Sequence, residues 1–209
     1  VMVNLILGFI IYAAVLYTWG EKFLPNKNLT NGIWCVDSIA LDAGFRTGDK
    51  IISINGVEPQ RYEDIYREVI FGGTVKVIRD NKTDSFTIPG DFIGKLVEES
   101  GVMLFYPRVP FIIREVPDTS VNSQAGLNPK DQVMSVNGVP IRFYDEYLGL
   151  VDTLEPGPIT AEVMRDGKTV PLALMLTPQK KLEVLTLIPT KDNKMYFKDA
   201  EGNFWRMYY

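Results

Sequence analysis

The sequence predicts an α+β protein, mainly β with some helix: two similar small domains in tandem, preceded by a transmembrane helix. Three observations predict it. An uncharged apolar run opens the chain, one string of residues recurs at a constant offset, and each copy of that string leads into an amphipathic helix and a strand pair. With 209 residues, 46% hydrophobic and 23% charged, there is enough apolar material for two cores and too little polarity for a disordered chain.

Residues 1–20 are the first element. Val1 to Trp19 contains no charged side chain, and Asn4 is its only strongly polar residue. About 20 residues at 1.5 Å each give roughly 30 Å, the thickness of a bilayer's hydrocarbon core. Tyr12, Tyr17 and Trp19 cluster toward the end, where an aromatic belt sits, and Glu21 and Lys22 follow. No basic stretch precedes the run and no small-x-small cleavage site follows it, which argues against a signal peptide. A buried globular helix is the other reading. The run is already under way at Val1, so a longer parent protein is expected.

The recurring string runs from Ala43-Gly44 through Gly48-Asp49 and an apolar strand to Asn55-Gly56-Val57. It returns as Ala125-Gly126, Lys130-Asp131 and Asn137-Gly138-Val139, each position 82 residues on. That offset indicates two like domains, at 29–90 and 101–178, rather than a solenoid of units of about 20 to 50 residues. Ala-Gly ends a short helical turn, Asp49 or Asp131 holds the next turn by side-chain hydrogen bonds, and Asn-Gly closes a type I′ hairpin. Lys130 stands where the first copy has Gly48. If positive φ is kept there, the substitution costs about 1 kcal/mol; otherwise the second turn has another shape.

Each hairpin leads into a helix. Tyr62, Ile65, Tyr66, Val69 and Ile70 share one face, with Glu63, Asp64, Arg67 and Glu68 opposite. Tyr144, Tyr147, Leu148 and Val151 repeat that apolar face in the second copy. Strand pairs follow: Thr74 to Arg79 with Ser85 to Ile88, and Ile159 to Arg165 with Thr169 to Leu176.

Composition removes several functions. Twenty-two basic against 26 acidic residues leave a net charge of −4, so broad electrostatic capture of nucleic acid has no support. With no histidine and one cysteine, Cys35, there is no Ser-His-Asp triad, Cys-His pair, HExxH zinc site or four-Cys knuckle. Cys35 lies in the apolar stretch Gly32 to Ile39 and reads as a small buried hydrophobe. The acidic pairs Glu98-Glu99 and Glu63-Asp64 read as solvated surface, and Gly72-Gly73 lacks the Lys-Ser/Thr of a phosphate loop.

These residues resemble a family. The repeated Ala-Gly, Gly-Asp, strand, Asn-Gly-Val and helix pattern looks like bacterial PDZ domains over residues 29 to 178. The apolar span with Val3-Asn4-Leu5, leading into two such domains, is similar to the middle of site-two-type intramembrane zinc metalloproteases, the RseP family. Tyr106-Pro107-Arg108-Val109-Pro110 also resembles the segment that opens the family's second PDZ domain. The resemblance implies that the parent is a zinc protease whose catalytic residues lie on other membrane helices. None of them maps onto this chain, so it has no catalytic residue, metal ligand or cofactor of its own. It further implies a bacterial inner-membrane location with the PDZ domains in the periplasm. Asn4 would then be a polar contact between membrane helices, although an incidental interfacial Asn fits as well. The partners would be the membrane and protein or peptide substrates with free C-terminal ends, not nucleic acid or a small molecule. The role is gating of substrate access and binding of peptide ends. A membrane-anchored PDZ scaffold or adaptor, or the PDZ tail of an HtrA-type serine protease, are the alternatives.

PDZ recognition adds a peptide strand to a sheet edge while loop amides hold its carboxylate. By chain order, that loop and strand are expected at Gly101, Val102, Met103, Leu104, Phe105 and Tyr106 for the second domain, facing Tyr144, Tyr147, Leu148 and Val151. For the first domain they are expected between Phe23 and Asn31, facing Tyr62, Ile65, Tyr66 and Val69. Pro25 has no amide donor, which favours the second domain as peptide receptor. The same helical residues would also pack a core. Residues 182–209 read as a C-terminal hairpin around Asp199 to Asn203. It faintly resembles the N-lobe hairpin of small-molecule kinases rather than the protease family, so a junction between unrelated segments is placed near Lys180.

Overall fold

The computed structural model describes residues 2–19, 23–99, 103–186, 194–198 and 204–208. Helix α1, Met2–Trp19, has 18 residues, and its side chains from Met2 to Thr18 are all exposed. Eighteen residues rise about 27 Å, and among the described residues no helix is long and apolar enough to cross a membrane.

Two apolar cores follow. The first unit orders β1 (Ile33–Cys35), α2 (Ser38–Asp42), β2 (Lys50–Ile54), α3 (Tyr62–Ile70), β3 (Gly73–Arg79), β4 (Lys82–Ile88), α4 (Phe92–Glu98) and β5 (Phe105–Pro107). Its strands form a β2-β3-β4 sheet and a β1-β5 pair. The second unit contains β6 (Ile113–Glu115), β7 (Gln132–Val136), β8 (Val139–Pro140), α5 (Tyr144–Val151), β9 (Gly157–Arg165), β10 (Lys168–Leu176) and β11 (Leu185–Thr186), in a β10-β9-β7-β8 sheet and a β11-β6 pair. Strands β12 (Lys194–Lys198) and β13 (Phe204–Tyr208) pair antiparallel as a hairpin.

Local chemistry explains the repeat. The Asp37 carboxylate accepts from the Ile39 N–H and starts α2. Asn55-Gly56 and Asn137-Gly138 all take positive φ, as a type I′ turn requires. The Asn55 amide then spans the turn, donating to the Gly72 carbonyl and accepting from the Thr74 N–H. A Cβ on Gly73, whose φ is +105°, would displace the Asn55 amide from these bonds, so a side chain there is strained. Lys130 keeps positive φ at +75°, beside +97° at Gly48, so the second turn retains its shape and carries the strain.

The two aspartates of the repeat are buried. Asp49 accepts from the Arg46 N–H and from Nε and Nη2 of Arg79, each at 2.8 Å. Asp131 accepts from the Asn128 N–H at 2.8 Å and from Arg165 Nε and Nη2 at 2.8 and 2.7 Å. The sequence pattern reveals the aspartates as turn-holders; the bidentate arginines arrive from β3 and β9. This contact holds the Arg79 guanidinium above its usual pKa, chiefly through the hydrogen bonds it donates to the Asp49 carboxylate.

The unit boundaries differ from the expected ones. Leu24, Phe92, Leu104 and Phe105 belong to the first core, so that unit extends past 29–90 on both sides. Leu182 belongs to the second core, so residues beyond 178 complete it. The physical reason is that β5 and β11 each return to pair with the first strand of their own unit, Cys35 with Phe105 and Glu115 with Leu185. Lys180 therefore lies inside the second unit rather than at a junction.

Arg108, between the units, joins them. Its guanidinium meets Asp145 at 2.8 Å and Glu146 at 3.0 Å and lies 4.0 Å from the Phe143 ring centroid. Both acids sit in the first turn of α5, where negative charge is also favoured by the helix dipole. Trp34 of the first unit contacts both Tyr106 and Tyr144.

Candidate functional site: a groove beside each helix

In each unit the principal helix lies beside the segment that returns to the unit's first strand, and the space between them is the candidate site. In the second unit this is an open groove of about 320 Å³. One wall is α5, with Tyr144, Tyr147, Leu148 and Val151; the other is the segment 179–184, including Lys180, Leu182 and Val184. Burial decides the division of labour. Tyr147 and Val151 are 4% exposed and serve the core, while Tyr144 and Leu148 are half-buried at the groove. Burial raises the Tyr144 and Tyr147 phenols, and in Tyr147 the neighbouring Tyr144 adds to it, so both hydroxyls stay neutral at physiological pH.

The far wall is a tight loop. The Lys180 N–H donates to the Thr177 carbonyl, the Thr177 N–H to the Lys181 carbonyl, and the Lys181 N–H to Thr177 Oγ1. Lys180 and Glu183 both take positive φ. Lys180 Nζ reaches the Asp152 carbonyl at 2.6 Å, placing a cation at the C-terminal end of α5. Asn122 anchors the loop from behind, donating through Nδ2 to the carbonyls of Met175 and Leu182.

The first unit closes the corresponding space. Tyr62, Ile65 and Val69 are buried in the core, as is Phe105. Tyr62 Oη donates to the Phe105 carbonyl at 2.6 Å. Tyr66 Oη donates to the same carbonyl at 2.8 Å and accepts from the Phe105 N–H at 2.9 Å. It also lies 2.8 Å from Met103 Sδ.

These contacts correct the expected pairing of loop and helix. Met103, Leu104 and Phe105 face α3 of the first unit, not α5 of the second; Gly101 and Val102 lie outside the described residues. The stretch from Phe23 to Asn31 is not the first groove's strand. It forms a 3₁₀ turn at Asn26–Asn28 and braces the start of α3, where the Tyr62 N–H donates to the Leu24 carbonyl. The residues missed were Lys180, Leu182 and Val184. Their alternation with Thr186 was a readable strand signal, hidden by assigning the second domain's end to residue 178.

The donor set does not fit a catalytic zinc. There is no histidine in the sequence, and among the described residues no group of three or more potential ligands gathers. Cys35 is buried, and desolvation followed by the charge of Asp49 pushes its thiol up to about 12, so it stays protonated.

No protein-family profile matches the chain. Among curated proteins it is 27% identical over 143 residues to a putative zinc metalloprotease of Neisseria meningitidis serogroup A, covering 64% of this chain and 32% of that protein. Among solved structures, the PDZ domain of the SdrC-like protein from Listeria monocytogenes superposes with a TM-score of 0.34 at 13% identity, over 41% of this chain and 94% of that one. The chain is thus a mixed helix-and-sheet relative of a putative zinc metalloprotease, spanning about a third of that relative's length.

Proposed function

We propose that the chain is the PDZ tandem of an RseP-like intramembrane zinc metalloprotease, anchored in the bacterial inner membrane with both units in the periplasm. It binds free peptide C-termini in the second unit and gates access of substrates to a proteolytic centre carried elsewhere in the parent. The single observation that carries this reading is the open groove between α5 and the segment 179–184, apolar along Leu148, Val151, Leu182 and Val184, with Lys180 and Lys181 balanced by Asp152 and Glu183 in its lining. Its apolar walls suit the apolar side chain of a peptide laid along α5. The relation to a putative zinc metalloprotease supports the proteolytic context. The exposed apolar side chains of α1, Leu5 at 72% and Phe9 at 72% among them, support membrane association, because such a surface is unfavourable in water.

The experiment is titration of the chain, in detergent, with a library of peptides bearing free C-termini and with the same peptides amidated. Free peptides are expected to bind at micromolar to millimolar affinity, as one short added strand buries little area, and amidation is expected to weaken them. Leu148→Glu, which puts a charge on the half-buried groove wall, is expected to lower affinity more than 100-fold, equivalent to about 3 kcal/mol. Circular dichroism separates loss of binding from loss of fold. Undiminished binding by Leu148→Glu would remove the second groove from the reading. A topology reporter fused after Tyr209 tests the periplasmic placement.

A further inference from the structure

Two strands that pair exchange an N–H and a carbonyl at alternate residues. In β5 the inner edge is spent on β1: Val36 donates to the Leu104 carbonyl, and Trp34 pairs with Tyr106. The groups of Phe105 point the other way, toward α3, where an added strand would have to bond. Both are engaged by Tyr66, whose hydroxyl accepts from the Phe105 N–H and donates to its carbonyl. These are the two bonds that a peptide residue would make. Pro107, the next outward-facing position, has no N–H to offer.

We propose that Tyr66 is a built-in occupant of the first unit's groove, a hydroxyl that stands in for a peptide backbone and keeps a latent strand-accepting site closed. The inference rests on the reading of these grooves as peptide sites. Tyr66 rather than Tyr62 is the gate for two reasons. Tyr62 is 1% exposed and part of the core, and its hydroxyl donates to the carbonyl, which has a second lone pair for another donor. Tyr66 is half-buried and alone satisfies the N–H. The second unit provides the natural control. Its equivalent helix position is Leu148, which has no hydroxyl, and there the groove is open.

The experiment exchanges these two residues in the full chain. Tyr66→Leu is expected to speed amide hydrogen exchange at Phe105 by about tenfold, the loss of one hydrogen bond of ordinary net strength, with little change in melting temperature. Titrated with the free-C-terminus peptide library, wild type is expected to show one site per chain and Tyr66→Leu two. Leu148→Tyr is expected to leave none in wild-type background and one, in the first unit, when combined with Tyr66→Leu. Unchanged exchange at Phe105 would overturn the tie itself, whether or not any peptide binds. Faster exchange with no second site, while the second unit still binds, would overturn the latent site. Absence of peptide binding by wild type and by every variant would instead overturn the peptide reading of both grooves, and the latent site with it.

Discussion

The two units set the same helix beside the same returning strand, yet one seals the gap and the other leaves it open. The first places Tyr66 over Phe105 and bonds both of its outward backbone groups. The second places Leu148 at the matching position and leaves about 320 Å³ between α5 and the loop from Gln179 to Val184. The scaffold around these positions is shared: Asn-Gly turns with positive φ, a buried aspartate held by a bidentate arginine, and a helix whose first-turn acid accepts from its own N-cap amide. A repeated fold therefore does not imply a repeated site, because one hydroxyl on the half-buried face of a helix is enough to change which backbone groups are available.

The comparison breaks most severely if the shared scaffold is removed. Asp49→Ala and Asp131→Ala each leave an arginine and a turn amide without their buried acceptor. Each is expected to destabilise its own unit by about 3 kcal/mol, read as a shift in one urea transition while the other unit is spared. Equal loss in both units from either variant would show that they fold as one cooperative body.

A smaller effect is expected at the junction. Arg108→Ala removes the ion pairs with Asp145 and Glu146, whose side chains are 11% and 31% exposed. About 2 kcal/mol of coupling between the units is expected to disappear, visible as separation of the two unfolding transitions and a broader distribution of sizes in small-angle scattering.

Alkaline pH reports on the second unit next. The folded pKa of Tyr147 is raised by burial above the 10.0 of a free phenol. Its contribution is complete below pH 10 and is lost as pH rises toward the folded value, by at most about 1.4 kcal/mol per unit. Tyr147→Phe is expected to remove that component from the second unit's stability profile. The smallest effect concerns the turn that differs. Lys130→Gly relieves a side chain at φ +75° and is expected to stabilise the second unit by up to about 1 kcal/mol, less the extra backbone entropy of glycine in the unfolded chain. Thermal unfolding of the variant checks it.

Much of this was legible because it is local. The type I′ turns at Asn55-Gly56 and Asn137-Gly138 follow from positive φ, which few residue pairs tolerate. The buried faces of α3 and α5 follow from helical periodicity, and the burial of Cys35 from its apolar neighbours. The ownership of residues 103 to 107 was not legible. Chain order put Gly101 to Tyr106 with the helix at 144–151, while Phe105 and Tyr106 pair with Cys35 and Trp34, across a long excursion through β2 to α4. The loop of the second groove was missed for the same reason.

Residue identities and short-range spacing settle turns, helix faces, the repeat and the absence of histidine chemistry, since each depends on backbone preferences or composition within a few positions. Tertiary structure alone decides which strand completes which unit, because either pairing satisfies the same local preferences and only burial of Leu104, Phe105 and Leu182 selects one. It also decides the state of each groove. A tyrosine at position 66 reads from sequence as one more apolar residue on a helix, and only the arrival of Phe105 within 2.9 Å ties its hydroxyl to both outward backbone groups of that residue.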